Sequence, residues 1–272
     1  MKIQDITSVL ASTDIRINLV KIGVGFAILW LVLAKLAEYL GSYRGERGLV
    51  IGVAVVTAAV LWEQLLGQRG FMKALRALGF RKSATHALLW TLVMSLALVG
   101  FVPLYAVVTG TPIKLRSDWL FLLPGLFAQG GIAEETVFRG YLFRHIRNYQ
   151  SFWRSALLSV VPFAVAHFPL LHQLTDVAYA LMSLLVALSV GVPLAWLFEC
   201  SGRSIWPPAI VHFIMQAGAK IVEMPDTQWP TFVTLWMVVC LLLPWSVFLL
   251  QAAPSRSVAT NGAREPTKPG HY

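Results

Sequence analysis

The chain has 272 residues, of which 57% are hydrophobic and only 13% charged. Soluble globular domains carry roughly 25% charged residues, so this composition excludes an ordinary soluble domain and points to a membrane protein. The formal net charge of +9 does not mark a nucleic-acid binder, because the basic residues lie in short stretches between apolar runs, as the positive-inside effect places them.

The first twenty residues hold no early apolar core and no small-residue cleavage site, so no removable signal peptide is expected. Eight apolar runs follow, at about 18–40, 49–67, 85–109, 118–143, 155–171, 176–199, 204–222 and 231–252. A membrane-crossing helix needs ~20 mostly apolar residues. The third, sixth and eighth runs meet that requirement easily. The fifth is short and carries Pro162 and Pro169. No segment alternates polar and apolar residues as barrel strands do, and no internal repeat is visible. The expected fold is all-α and polytopic, with about eight transmembrane helices and a polar site between them.

The expected division is 1–117 for N-terminal transmembrane helices, 118–222 for the functional core, 223–252 for the last crossing and 253–272 for a disordered tail. Cys200 and Cys240 lie in or beside apolar segments without ligand spacing and read as packing residues. Eight crossings would put fourteen Lys and Arg on the N-terminal side and five on the other. That bias predicts an inner or plasma membrane location with both termini cytoplasmic.

Charged groups inside a bilayer are costly, so each one within a span is a functional candidate. Lys21, Lys35, Glu38 and Glu63 lie near span ends, where side chains snorkel to the interface. The others are Glu134, Glu135 and Arg139 in the fourth run, His167 in the fifth, and His212 with Gln216 in the seventh. At ~1.5 Å per helical residue, Glu134, His167 and His212 lie ~15, ~18 and ~12 Å from the cytoplasmic edge. Three helices thus bring polar groups to nearly one level, which scattered structural residues have no reason to do.

Glu135 and Arg139 are four residues apart and share one helical face, so they are expected to pair. Glu134 is turned about 100° away and lacks that partner. His212 and Gln216, also four apart, reach the same level. A carboxylate without an ion-pair partner suits a general base, so Glu134 with His167 could deprotonate a water. His212 and the Gln216 amide could donate to an oxyanion. Neither GxSxG nor HExxH occurs. Glu134, His167 and His212 could instead hold a zinc ion, and the residues alone leave metal-free and zinc-assisted hydrolysis both open.

The motif EETVFRG (Glu134, Glu135, Arg139), then FAVAH (Phe163 to His167), then HFIMQ (His212, Gln216) resembles the CPBP group of intramembrane proteases. That group includes CAAX prenyl endopeptidases related to the Ras-converting enzyme and bacterial Abi proteins. The resemblance covers about 118–220. It implies an integral membrane endopeptidase acting on a membrane-associated peptide or protein, with no nucleic-acid partner. It also implies that Glu134 and His167 activate water, that His212 and Gln216 form the oxyanion hole, and that Glu135 and Arg139 support the site. No required cofactor is the favoured reading, since a glutamate-type mechanism is argued for a family long called metalloproteases. The chain departs from the pattern at Gln216, where Asn is usual; Gln keeps the amide donor but is one methylene longer.

Blander readings stand beside this one. Phe163 reads as packing, and Gly130, Gly131 and Gly140 as points of close helix approach or, for the first two, of a loosened helix. Residues 140–154 read as a basic, aromatic interfacial helix. The whole cluster could be a buried network that only fixes packing, a proton relay of a transporter, or the relic site of a catalytically silent binding or immunity protein. The absence of inverted repeats and paired broken helices argues against the transporter.

Overall fold

Long apolar runs in a bilayer must satisfy their backbone groups internally, and the single-segment solution is a helix. The structure, a computed structural model, describes residues 3–41, 43, 45–67, 70–167 and 177–249, with side chains from residue 18 onward. In chain order they form α1 (Ile3–Leu40), α2 (Glu46–Gly67), α3 (Phe71–Ala77), α4 (Thr85–Thr109) and a two-residue strand β1 (Lys114–Leu115). Next comes α5 (Trp119–Leu126), which continues through π-helical turns at Phe127–Ala133 and Thr136–Phe143 into α6 (Arg144–Arg147). The remainder is α7 (Phe152–His167), α8 (Val177–Cys200), α9 (Trp206–Lys220), strand β2 (Val222–Glu223), α10 (Trp229–Leu242) and a closing 3-10 turn, Leu243–Leu249.

The chain is therefore an all-α, polytopic membrane protein. Five stretches among the described residues are long and apolar enough to cross a membrane, not eight: Asn18–Leu40, Glu46–Gly67, Thr85–Thr109, Val177–Cys200 and Trp229–Leu249. The other three runs differ for identifiable reasons. The fourth is interrupted by π turns, and most of its second half is buried against other helices rather than left apolar to lipid. The fifth yields a described helix of 16 residues and the seventh one of 15. Pro169, His172 and the end of the fifth run, like the tail 253–272, lie outside the described residues.

Residues 140–154 do not form a separate interfacial helix. Gly140 to Arg144 continue the preceding helix and are buried, and a turn follows before α7. Arg144 and His145 there meet Glu63 of α2, with His145 Nε2 2.7 Å from Glu63 Oε1. Glu63 is thus a buried ion-pair partner, 1% exposed, rather than a snorkelling end group. Cys200 and Cys240 are buried free thiols, as packing residues are.

Two sets of loop contacts frame the helices that carry the polar residues. At one end β1 pairs with β2, Lys114 opposite Glu223, and Arg116 N–H donates to Ile221 O at 2.9 Å. Beside that ribbon the Arg116 guanidinium grips both Asp118 oxygens, at 3.0 and 3.2 Å, and holds the Asp118 carboxyl below its usual range. At the other end Ile205 N–H donates to Gly79 O at 2.9 Å, and Arg147 lies 3.4 Å from Glu199. Gly79 has a φ of +98°, and a Cβ there would press on Phe198 and the Arg203 carbonyl. Gly48 and Gly52, spaced as small-xxx-small, let α2 pack directly on the backbone of Gly125 and Ala128.

Candidate active site

Glu134 and Glu135 occupy the short α-helical step between the two π-helical stretches. A π turn closes its hydrogen bond one residue later than an α turn and widens the helix, a distortion frequent at functional sites. The glycines help to place it here. A Cβ on Gly131 would stand 2.8 Å from Ala209 O, so the widened helix lies directly against the backbone of α9. The expectation that the two glycines loosen the helix before the carboxylates agrees with this local form.

The two carboxylates have different surroundings. Glu135 is fully buried, whereas the Glu134 side chain is 15% exposed. Glu135 Oε1 accepts from Arg139 Nη1 at 2.8 Å, the pair expected from their spacing. It also accepts from His212 Nδ1 at 2.7 Å, a contact between helices that spacing could not reveal. Glu135 Oε2 is buried and has no hydrogen-bond partner among the described residues. Arg139 also donates to Gly191 O of α8 at 3.3 Å, and its guanidinium lies 4.7 Å from the centre of the Phe163 ring.

The bond to Glu135 settles which His212 nitrogen carries hydrogen. A carboxylate only accepts, so Nδ1 is the donor. In the neutral ring Nε2 then holds the lone pair, and the Gln216 amide nitrogen stands 3.1 Å from it. Glu134 Oε2 is 3.7 Å from the same Nε2, and Gln216 Nε2 is 3.5 Å from Glu134 Oε1. Lys220 Nζ donates to Gln216 Oε1 at 3.4 Å.

His167 ends α7. Its Nδ1 donates to Phe163 O at 2.8 Å, leaving the Nε2 lone pair turned away from its own helix. It makes no hydrogen bond to Glu134 or His212 among the described residues. Its link to them runs through Phe163, whose buried ring meets His167 edge-on at 4.6 Å, His212 at 6.0 Å and the Arg139 guanidinium. Phe163 is packing, as expected, but the packing positions three polar residues. The structure therefore joins Glu134, Glu135, Arg139, His212 and Gln216 in one polar network and sets His167 beside it across an aromatic ring.

A zinc ion held here would use the His212 Nε2 lone pair, which the Gln216 amide nitrogen approaches at 3.1 Å. Among the described residues no three His, Cys, Asp or Glu side chains form a metal-ligand group.

Gly130 explains how the longer Gln216 is housed. A Cβ on Gly130 would overlap the Gln216 carboxamide. Gly130→Ala should therefore push the amide off Glu134 and His212. With Gln216→Asn, which withdraws the amide by one methylene, the same alanine should cost less. A double-mutant cycle on the unfolding free energy should show a coupling of about 0.5–3 kcal/mol, the range for residues in contact. Additive effects would mean that Gly130 does not seat the amide.

The geometry describes a polytopic membrane protein with a buried Glu–Arg–His network and a more accessible carboxylate beside it. Residues 116–218 match the family model for the Type II CAAX prenyl endopeptidase, Rce1-like. The chain thus carries a CAAX-protease family domain, and all six residues of the site lie inside it. No curated protein matches the chain.

Proposed function

We propose that the protein is an intramembrane endopeptidase that hydrolyses a peptide bond of a membrane-associated protein or peptide without a metal ion. The observation that carries the reading is the unequal treatment of two adjacent carboxylates within the family match. Glu135 is buried and consumed by Arg139 and His212, while Glu134 keeps exposed surface beside the Gln216 amide and the His212 imidazole.

In this mechanism Glu134 takes a proton from water as the water oxygen bonds to the scissile carbonyl carbon. His167, its Nε2 lone pair available, orients that water by accepting its other hydrogen. Negative charge develops on the carbonyl oxygen. The Gln216 amide holds Glu134 only at 3.5 Å, the long limit of a hydrogen bond. Once Glu134 is protonated, that N–H gains more by turning to the oxyanion. His212 keeps its Nδ1 proton on Glu135 and its Nε2 lone pair on the other Gln216 N–H, and so positions that amide for the oxyanion. Glu134 then returns its proton to the leaving nitrogen, the C–N bond breaks, and an amine and a carboxylic acid leave.

The core of this activity is 118–222. The helix through 119–147, α7 and α9 are embedded alongside the five long spans, giving eight crossings with both termini cytoplasmic. The loop pairing supports the alternation of ends, because 114–116 meets 221–223 at one end and the segments at 79 and 147 meet 199–205 at the other, and the cytoplasmic side rests on the bias of basic residues. The test is mass-spectrometric mapping of new protein termini in membranes carrying wild type or Glu134→Gln at equal expression. Termini found only with the wild type are expected. Identical maps in a host known to contain a cleavable substrate of this family would sink the reading.

A further inference from the structure

A second polar site lies away from the Glu134 network, at the end of the molecule where 79–84 meets 201–206. Arg81, Lys82, Ser83, Leu88 and Trp206 line an open cleft of about 440 Å³ there. Its floor is held by hydrogen bonds that use neither Lys82 nor the Arg81 Nη groups. Ser83 Oγ donates to Ser204 Oγ at 2.7 Å, Ser204 Oγ donates to Arg81 O at 2.8 Å, and Arg81 Nε donates to Arg203 O at 3.1 Å.

The cations are poorly balanced. Lys82 is exposed and forms no hydrogen bond or ion pair among the described residues. Partial burial, and then the neighbouring Arg203 charge, pull the Arg81 guanidinium below its ordinary value. The carboxylate of Glu199 is already shared between Arg147 at 3.4 Å and Arg203 at 3.6 Å. An anion seated between Arg81 and Lys82 would relieve this excess of positive charge.

The apolar half of the cleft indicates what carries the anion. Leu88 is 40% exposed and Trp206 38%. From Leu88 the exposed residues Leu92, Leu96 and Val99 continue along one face of α4, a membrane-spanning helix. The site is therefore cationic at its head, flanked by an indole, and apolar along its length. Trp belongs at the headgroup level of a bilayer. Lys and Arg beside a span attract anionic lipids. Phe71 and Met72 of the adjoining α3 are likewise exposed beside Lys73, as in a helix lying at the interface.

We infer that Arg81, Lys82 and Trp206 form a binding site for the phosphate headgroup of an anionic phospholipid, whose acyl chains lie along the Leu88–Leu92–Leu96 face of α4. This rests on the membrane location and not on the hydrolytic reading, so a chain without turnover would keep it.

The test is native mass spectrometry of the full-length, delipidated protein titrated with phosphatidylglycerol or phosphatidylcholine of the same chains. Phosphatidylglycerol should bind about tenfold more tightly. Lys82→Gln should weaken it about fivefold, the worth of one basic residue near a membrane surface. Arg81→Lys should retain most of the preference. Lys114→Gln, at the opposite end of the molecule, should change nothing. Equal binding of the two lipids, or an equal loss on Lys114→Gln, would overturn the site. Complete displacement of phosphatidylglycerol by millimolar inorganic phosphate would overturn a lipid occupant in favour of a free anion. Lys82 is exposed and makes no hydrogen bond among the described residues, so its variant is expected to stay folded, with wild-type unfolding temperature as the check.

Discussion

Glu134→Gln and His167→Ala should each slow peptide cleavage by about 10²–10⁴-fold, the usual worth of a positioned general acid or base. The double variant should be little slower than the worse single one. Both side chains are assigned to one water molecule, and residues that act as a unit give losses that do not add. Rates should be compared on a substrate identified by terminus mapping, at enzyme saturation, so that the effect is read in kcat. Fully multiplicative losses would separate the two residues into independent steps and remove His167 from water activation. Gln is the apt replacement for Glu134 because it preserves size while removing the basic carboxylate.

The second large effect concerns stability. Glu135→Ala should destabilise the fold by about 3–5 kcal/mol, because it leaves Arg139 buried without its carboxylate. Arg139 is 2% exposed and, among the described residues, retains the Gly191 carbonyl and the Phe163 face. Combining Glu135→Ala with Arg139→Met removes the stranded charge and should restore much of that loss, as apolar replacements of buried pairs do. Cleavage should stay low even so, since His212 still lacks the acceptor that holds its Nδ1. Unfolding in mild detergent reads the first effect and kcat the second. Recovery of both together would assign Glu135 a structural role alone.

The grouping of the polar residues was more legible than the scaffold that carries them. The Glu135–Arg139 pair follows from four-residue spacing and survives the π-helical turns around it. The agreement in depth grouped Glu134, His167 and His212, because straight helices convert residue counts into height; Glu134 and His212 do stand 3.7 Å apart, while His167 is set beside them across the Phe163 ring. Depth carries no azimuth, however, so the bond from His212 to Glu135 was invisible, as was the Phe163 ring that separates His167 from the network. The count of long spans failed where hydropathy ignores shape. A run such as 118–143 reads in sequence as one long apolar span, whereas π turns divide it and neighbours bury most of its second half. Residues 140–154 misled similarly: aromatic and basic side chains suggested an interfacial surface, but Tyr141, Phe143 and Arg144 face inward.

The short ribbon of β1 and β2 has a mechanical consequence. It fastens the start of the helix bearing Glu134 to the end of the helix bearing His212. At their far ends, Arg147 and Glu199 tie the first of these helices to α8, whose last turn leads directly into the second. The two helices are thus braced top and bottom like opposite posts of a frame. A lateral squeeze or a thinner bilayer tilts such a frame as a unit, because sliding one post along the other would shear both fastenings at once. The gap between Glu134 and His212 is held by its distant ends as much as by the residues that line it.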